Sequence, residues 1–415
     1  MIALCDMNSF YCSVELIFRP DITNRRVVVL SNNDGCIVAC TPEATAAGAK
    51  KFGPYFQQKK LLEQNKVTVF SSNYTLYGLV SQRLMQLLAD EAPLLEVYSI
   101  DEAFLDVTGI PNIKNFAAHL NQRVWQEQRI PMGVGVAPTK VLAKLANRAS
   151  KILPKLKGVC VLDEPNKWEW LAARLPVSDV WGIGKGLSLR LAEIKVVTAL
   201  DLTRLPPAQA RHIGGVVLER IVSELNGTPC LFLETDVKAK KEIVSSRSFG
   251  KKVDTLAEIN SAISNFATRG TQKLRGQDCV TGCLSVWIQT SAHDSRTEQY
   301  AHSAQWLFDP PIDDPRTIAA TAVNLASRIF TPGYRYAKAG ISLSKIRPRS
   351  TQQSDLFHQP ECDPRIADTM DLINKRFGRH TVRPACQLDE SWQMKRQFLS
   401  PNYYTQWSDI PIVKC

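Results

Sequence analysis

No stretch of this 415-residue sequence approaches the ~20 consecutive apolar residues that a membrane-spanning helix requires. The features of a secretory leader are also missing. Asp6 follows the apolar Met1–Cys5 at once, with no basic region and no small-residue cleavage site, so a signal peptide is not expected. Strong compositional bias is absent: 44% hydrophobic and 22% charged residues exclude a wholly disordered chain and leave apolar material for several cores. A paired cysteine framework is lacking as well. Eleven cysteines, an odd number spread over a long chain, point to free thiols in a reducing, cytosolic compartment. Cys36/Cys40 and Cys279/Cys283 have no convincing second ligand pair, so structural zinc is not expected.

What the sequence has is positive charge. Fifty-one Lys and Arg against 40 Asp and Glu give +11, which favours a polyanionic partner without separating nucleic acid from an anionic membrane surface. The excess is uneven: residues 1–237 carry net +3, residues 238–349 net +8 and residues 350–415 net zero. At ~150 residues per domain the length predicts two to four domains.

The first segment reads as α/β. Apolar runs at 2–5, 27–30, 67–70 and 132–136 predict strands, and 72–88 has helical periodicity. Runs at 94–98 and 104–107 flank the polar break Ser99–Glu102 and predict a hairpin, while Thr139 is placed to cap a helix to about Ser150. Residues 166–233 read as mainly helical. Residues 242–346 read strand, helix (255–274), strand (280–290), strand, helix (315–330), strand (336–345), the split βαβ pattern with helices on one face of an antiparallel sheet. Beyond 348, Trp392, Phe398, Tyr403, Tyr404 and Trp407 either face a partner or pack back on the body.

Three carboxylates stand at strand-associated positions: Asp6, and Asp101–Glu102 within VYSIDEAFLDV. Acids embedded in apolar strand text need a compensating cation, and hard Mg²⁺ takes oxygen ligands. Two such ions ~4 Å apart can activate a 3′-hydroxyl and stabilise a pyrophosphate leaving group. Asp106, further from the turn, reads as structural.

The blocks CDMNSFYCSVE (5–15), VVVLSNNDGCIVA (27–39), SSNYTLY (71–77), EVYSIDEAFLDVTG (96–109), GVGVAPTKVLAKLANRASK (133–151), DVWGIGKG (179–186) and SRSFG (246–250) run in order along the chain. Together they resemble the Y-family lesion-bypass DNA polymerases, and within them the UmuC-like branch. The resemblance implies an α+β multidomain right hand: palm (1–20 and 71–165), fingers (21–70), helical thumb (166–235), a βαββαβ little finger (242–348) and a C-terminal partner-binding tail (349–415). It implies error-prone synthesis across lesions in a DNA-damage (SOS) response, with Asp6, Asp101, Glu102 and the backbone carbonyl of Met7 holding two Mg²⁺ ions. Tyr11 matches the steric gate under the incoming sugar, beside Phe10, and Lys151 matches the triphosphate-binding lysine; Lys144 has a weaker claim. The fingers depart from the family pattern, with Pro42 and Thr45 where many members place Tyr and Arg; Thr45 offers a hydroxyl but no charge, so the grip is expected to lean on Lys151, metal and finger backbone, with Asn32 or Asn33 as candidates to compensate.

The remaining implications concern grip and partners. Gly182, Gly184 and Lys185 resemble a helix-hairpin-helix turn on the DNA backbone, and Arg247, Lys251 and Lys252 form a basic cluster, part of which strand alternation could place on the open sheet face. Gln353, Leu356 and Phe357 of QSDLF resemble a sliding-clamp docking motif. The implied partners are primer-template DNA, dNTP, a processed UmuD-like subunit, RecA and the clamp, with no membrane. Two other readings compete: a non-catalytic damage-response scaffold of the same fold, and a nucleotidyl cyclase using a similar palm. Retention of all three acids speaks against the first, and the thumb turn and basic little finger against the second.

Overall fold

The computed structural model describes residues 1–236, 239–294, 297–351, 364–378, 381–387 and 391–410. Two units emerge, one of residues 1–31, 35–237 and 397–415, the other of residues 32–34 and 238–396. The C-terminal segment is therefore divided between them.

In the first unit, strands β1 (Ile2–Met7), β2 (Val27–Leu30), β3 (Ile37–Cys40), β4 (Thr68–Ser71), β5 (Leu95–Val97), β6 (Glu102–Asp106), β7 (Met132–Ala137) and β8 (Val159–Val161) form two sheets. The larger has the order β5-β6-β1-β7-β8 and the smaller β3-β2-β4. β1 lies at the centre of the larger sheet, antiparallel to both β6 and β7. Ala3, Leu4 and Cys5 are buried because helices Tyr74–Ala89, Ile113–Gln128 and Lys140–Ile152 cover the sheet's apolar text. The last of these begins where Thr139 accepts from the Leu142 N–H, as expected of an N-cap. A Cβ at Gly135 would stand 2.2 Å from the Asn147 nitrogen, so glycine is what lets this helix seat directly on β7. Helices between 165 and 225 complete the unit, with Gly182 at φ +94° in the turn before helix Lys185–Glu193.

The second unit contains β9 (Ile243–Val253), β10 (Cys279–Gln289), β11 (Ala301–Ile312) and β12 (Tyr336–Pro348) in the order β11-β10-β12-β9, all antiparallel. Helices Leu256–Arg275 and Pro315–Ile329 pack on one face of the sheet, and Ile259, Ile263, Phe266, Leu284, Ile341 and Leu343 form its core. The predicted strand–helix order is met from β9 to β12, and the helix Pro364–Phe377 beyond them was not expected.

Several of the tail aromatics pack back on the body. Trp392 is buried against Phe266, and Tyr403 stacks on Phe18 at 4.3 Å, whereas Trp407 is 90% exposed. No helix among the described residues is long and apolar enough to cross a membrane. Cys5, Cys12, Cys36, Cys40, Cys160, Cys230, Cys279 and Cys283 are free thiols.

Candidate active site

β1 carries Asp6 one residue before its end, in register with Glu102 on β6 and Gly133 on β7. The turn before β6 is tied tightly. Ser99 Oγ donates to Asp101 Oδ1 at 2.6 Å and accepts from the N–H groups of Asp101 and Glu102 at 3.2 and 3.1 Å. The Met7 N–H donates to the Asp101 carbonyl at 2.9 Å, which sets the backbone of residue 7 beside the acidic pair. Asp106 instead accepts from the Thr108 N–H at 2.9 Å and plays the structural part expected of it.

Two lysines answer these acids. Lys151 Nζ stands 2.6 Å from Asp6 Oδ2, and Lys144 Nζ lies 3.0 and 3.1 Å from the two oxygens of Glu102. Lys151 belongs to the last turn of helix Lys140–Ile152 rather than following the helix. Lys144 also lies over the rings of Tyr98 and Trp181, 4.4 and 5.1 Å from their centroids. Lys140, which pairs with Glu96, shares the face with both, because intervals of four and seven residues return to one side of a helix. That spacing was the available signal for Lys144, whose place beside Glu102 is closer than the sequence suggested.

Burial raises the Asp6 carboxyl above its ordinary range; Lys151 pulls it back down, and the neighbouring Glu102 pushes it further up. Carboxylates crowded this closely require positive charge, and their hard oxygens are the donor set of a divalent cation rather than of a soft metal. Among the described residues no three His, Cys, Asp or Glu side chains are gathered as a ready cation cluster, since Asp101 is turned onto Ser99. The donors therefore fit a hard cation once Lys151 and Ser99 yield their carboxylates.

Tyr11, on helix Phe10–Ile17, is half-buried and stacked on Tyr77 with centroids 4.6 Å apart and planes at 16°; Tyr74 meets it edge-on at 6.1 Å. Phe10 is turned into the core. Thr45 spends its hydroxyl on the Thr41 carbonyl at 3.0 Å, and the Asn33 amide donates to the carbonyls of Ser248 and Phe249 within the second unit.

The basic cluster is not one surface. Arg247 shares a strand face with the buried Ile243 and Ser245 and lines a cleft of about 570 Å³ with Asn265, Thr268 and Gln272 of the covering helix. The expectation that the open face receives part of this cluster fails for Arg247 because the period-two alternation turns it toward the helices. Lys252 pairs with Asp294 at 2.6 Å, while Lys251 is exposed. Lys338, in register with Ser248 and Gln289, is a cation of the uncovered face that sequence reasoning passed over. Gly182 has space only because it lacks a Cβ, which would meet Ile221 at 2.6 Å; Gly184 caps the helix that begins with the exposed Lys185. Gln353, Leu356 and Phe357 lie outside the described residues.

The fold is that of the Y-family DNA polymerases. The fold matches the Y-family DNA polymerase chimera Dbh-Dpo4(243-245)-Dbh with a TM-score of 0.66 at 22% identity, covering 84% of this chain and 100% of that one. The insertion ternary complex of Dbh DNA polymerase matches at 0.54 and 21% identity, with coverage of 84% and 100%.

More particularly, the chain belongs to the impB/mucB/samB family, whose profile matches residues 5–148 and whose C-terminal domain profile matches residues 240–356. Residues 364–413 match a domain of unknown function. Protein UmuC of Salmonella typhimurium is 41% identical over the full length of both chains, and Protein MucB of Escherichia coli 42% identical over 99% of each. Both levels of kinship agree with the family read from the ordered motifs.

Proposed function

We infer that this chain is an error-prone, template-directed DNA polymerase that extends primers across damaged bases in a bacterial DNA-damage (SOS) response. The observation that carries the reading is the placement of Asp6 opposite Glu102, with Asp101 at the same sheet end, on backbone held by strand pairing. Asp6, Asp101, Glu102 and the Met7 carbonyl would hold two Mg²⁺ ions. When bound, these would neutralise the triphosphate and lower the pKa of the primer 3′-hydroxyl. The chain's own share is positioning, which dominates phosphoryl transfer because no protein nucleophile is needed. Lys151, released from Asp6, would hold the triphosphate as a mobile ammonium. Tyr11 would stand beneath the sugar and reject a 2′-hydroxyl by clash. The Gly182–Lys185 turn, Lys251 and Lys252 would hold the DNA backbone without reading sequence. Gln353, Leu356 and Phe357 would dock the sliding clamp, and the tail would meet a processed UmuD-like subunit and RecA.

Single-nucleotide incorporation by Asp101→Asn and Glu102→Gln tests the assignment. Each substitution keeps size and removes a hard anionic ligand, so incorporation should be abolished with primer-template binding retained. Near-normal incorporation at saturating Mg²⁺ by either variant would refute it.

A further inference from the structure

Tyr11 is backed by a chain of contacts that ends far away in sequence. Its ring lies flat on Tyr77, which is wholly buried and donates its hydroxyl to Glu15 Oε1 at 2.6 Å. Glu15 follows Tyr11 by one turn on the same helix, is itself wholly buried, and accepts a second hydroxyl at the same oxygen, from Ser400 at 3.0 Å. Glu15 Oε2 is buried without a hydrogen-bond partner among the described residues.

Ser400 is in turn held from several sides. The Asn73 amide donates to its carbonyl and its hydroxyl, each at 3.1 Å, while Asn73 Oδ1 caps helix Tyr74–Ala89 through the Leu76 N–H. The Ser71 N–H donates to the Phe398 carbonyl at 2.9 Å, Tyr403 stacks on Phe18, and Arg83 lies over Tyr404 at 5.2 Å. A buried carboxyl costs stability unless its bonds are made. Apolar residues would fill this space at lower cost, so the polar chain calls for a role beyond packing.

We propose that residues 398–404 are a working part of the sugar gate: Ser400 and Glu15 hold Tyr77, and Tyr77 holds the plane of Tyr11, so the tail sets how strongly the site rejects a ribonucleotide. The proposal rests on the assignment of Tyr11 as the gate. Rejection by clash depends on where the ring stops, and a ring whose support can tilt yields to the added oxygen. Glu15, Tyr77 and Ser400 are positioning residues, and the signature of their role is a change in discrimination rather than in overall rate.

The experiment measures kcat/KM for a ribonucleotide and its deoxyribonucleotide counterpart with the full chain on one primer-template. The variants are Tyr77→Phe, Ser400→Ala, Glu15→Gln and Tyr11→Ala, with the first two repeated in the Tyr11→Ala background. Tyr77→Phe and Ser400→Ala should each raise the ribo-to-deoxy ratio about fivefold, or ~1 kcal/mol at ~1.4 kcal/mol per tenfold. Glu15→Gln, whose amide oxygen still accepts both hydroxyls, should stay near wild type. In the Tyr11→Ala background neither substitution should change the ratio further. A purely structural defect would lower both substrates together and leave the ratio unmoved. An unchanged ratio in Tyr77→Phe and Ser400→Ala, with a raised one in Tyr11→Ala, would overturn the role of the tail and leave the gate standing. An equal rise in the Tyr11→Ala background would overturn the route through Tyr11. No rise in Tyr11→Ala itself would overturn the gate assignment.

Discussion

Lys151 occupies the carboxylate of Asp6, its ammonium nitrogen 2.6 Å from Oδ2, and its stem passes Gly133, one of the two glycines of β7. A Cβ at Gly133 would come within 3.3 Å of Lys151 Cε. The lysine is the counter-charge of an acid that burial and Glu102 would otherwise drive toward protonation.

Lys151→Met should therefore weaken the protein most when divalent cations are absent. The pair is mostly buried, so a loss of about 2 kcal/mol is expected, between the ~0–1 of an exposed pair and the ~3–5 of a buried one. Millimolar Mg²⁺ should recover part of that loss. Thermal unfolding in chelator and in Mg²⁺ checks it: a deficit of the same size in both would show that lysine and cation do not share Asp6.

Lys251 and Lys252 are adjacent but should behave differently on DNA. Lys251 is exposed, and its loss should lower the salt slope of primer-template affinity by about one. Lys252 is committed to Asp294, so Lys252→Ala should change the slope less. Binding titrations over a range of salt concentrations separate the two, and equal slopes for the two variants would contradict the expected order.

Burial pushes the Glu15 carboxyl up to about 7, against the lowering influence of the Tyr77 and Ser400 hydroxyls and of Arg19. Burial also raises Cys12 and Tyr403, so both remain neutral across the window in question. The folded-state pKa lies above the ordinary 4.5, so the folded chain binds more protons between roughly 4.5 and 7. Stability from this group is therefore greatest below that window and falls as pH rises through it. Glu15→Gln, neutral at every pH, should gain on the wild type between pH ~5 and ~8 by on the order of 3 kcal/mol at most. Urea unfolding at several pH values measures the difference, and a pH-independent one would mean that Glu15 is ionised throughout.

Leu356→Ala with Phe357→Ala should abolish most stimulation by the sliding clamp and leave clamp-free incorporation nearly intact. Apolar anchors of this kind each contribute ~1–3 kcal/mol to a small interface. Clamp affinity measured beside clamp-free primer extension decides it, because unchanged affinity would make QSDLF a chance match.

The fold was legible where periodicity and punctuation agree. The strands around Asp6 and Glu102, the hairpin over the Ser99–Glu102 turn and the strand–helix order from β9 to β12 follow from alternation, turn residues and caps. The acids were legible because carboxylates inside apolar strand text have few structural uses. Lys144 was less so: its partner Glu102 is 42 residues away, and only the shared helix face with Lys140 and Lys151 hinted at it. Arg247 was misplaced because a basic residue on a strand says nothing of which face the helices cover. The seat of Ser400 beside Glu15 had no sequence signal at all, since a serine before a proline in a tail reads as a loop.

Asn73 and Ser400 meet across 327 positions of chain. At a synthesis rate of ~5–20 residues per second, the residue that anchors Tyr77 from the far side emerges roughly 15–65 s after the helix that carries Tyr77. Until then the growing polypeptide holds Asp6, Asp101, Glu102 and Tyr11 but lacks Ser400 behind Tyr77. If Tyr11 is the gate and residues 398–404 its brace, as proposed, the nascent chain gains that brace only after the palm strands and the helix carrying Tyr77 have been made.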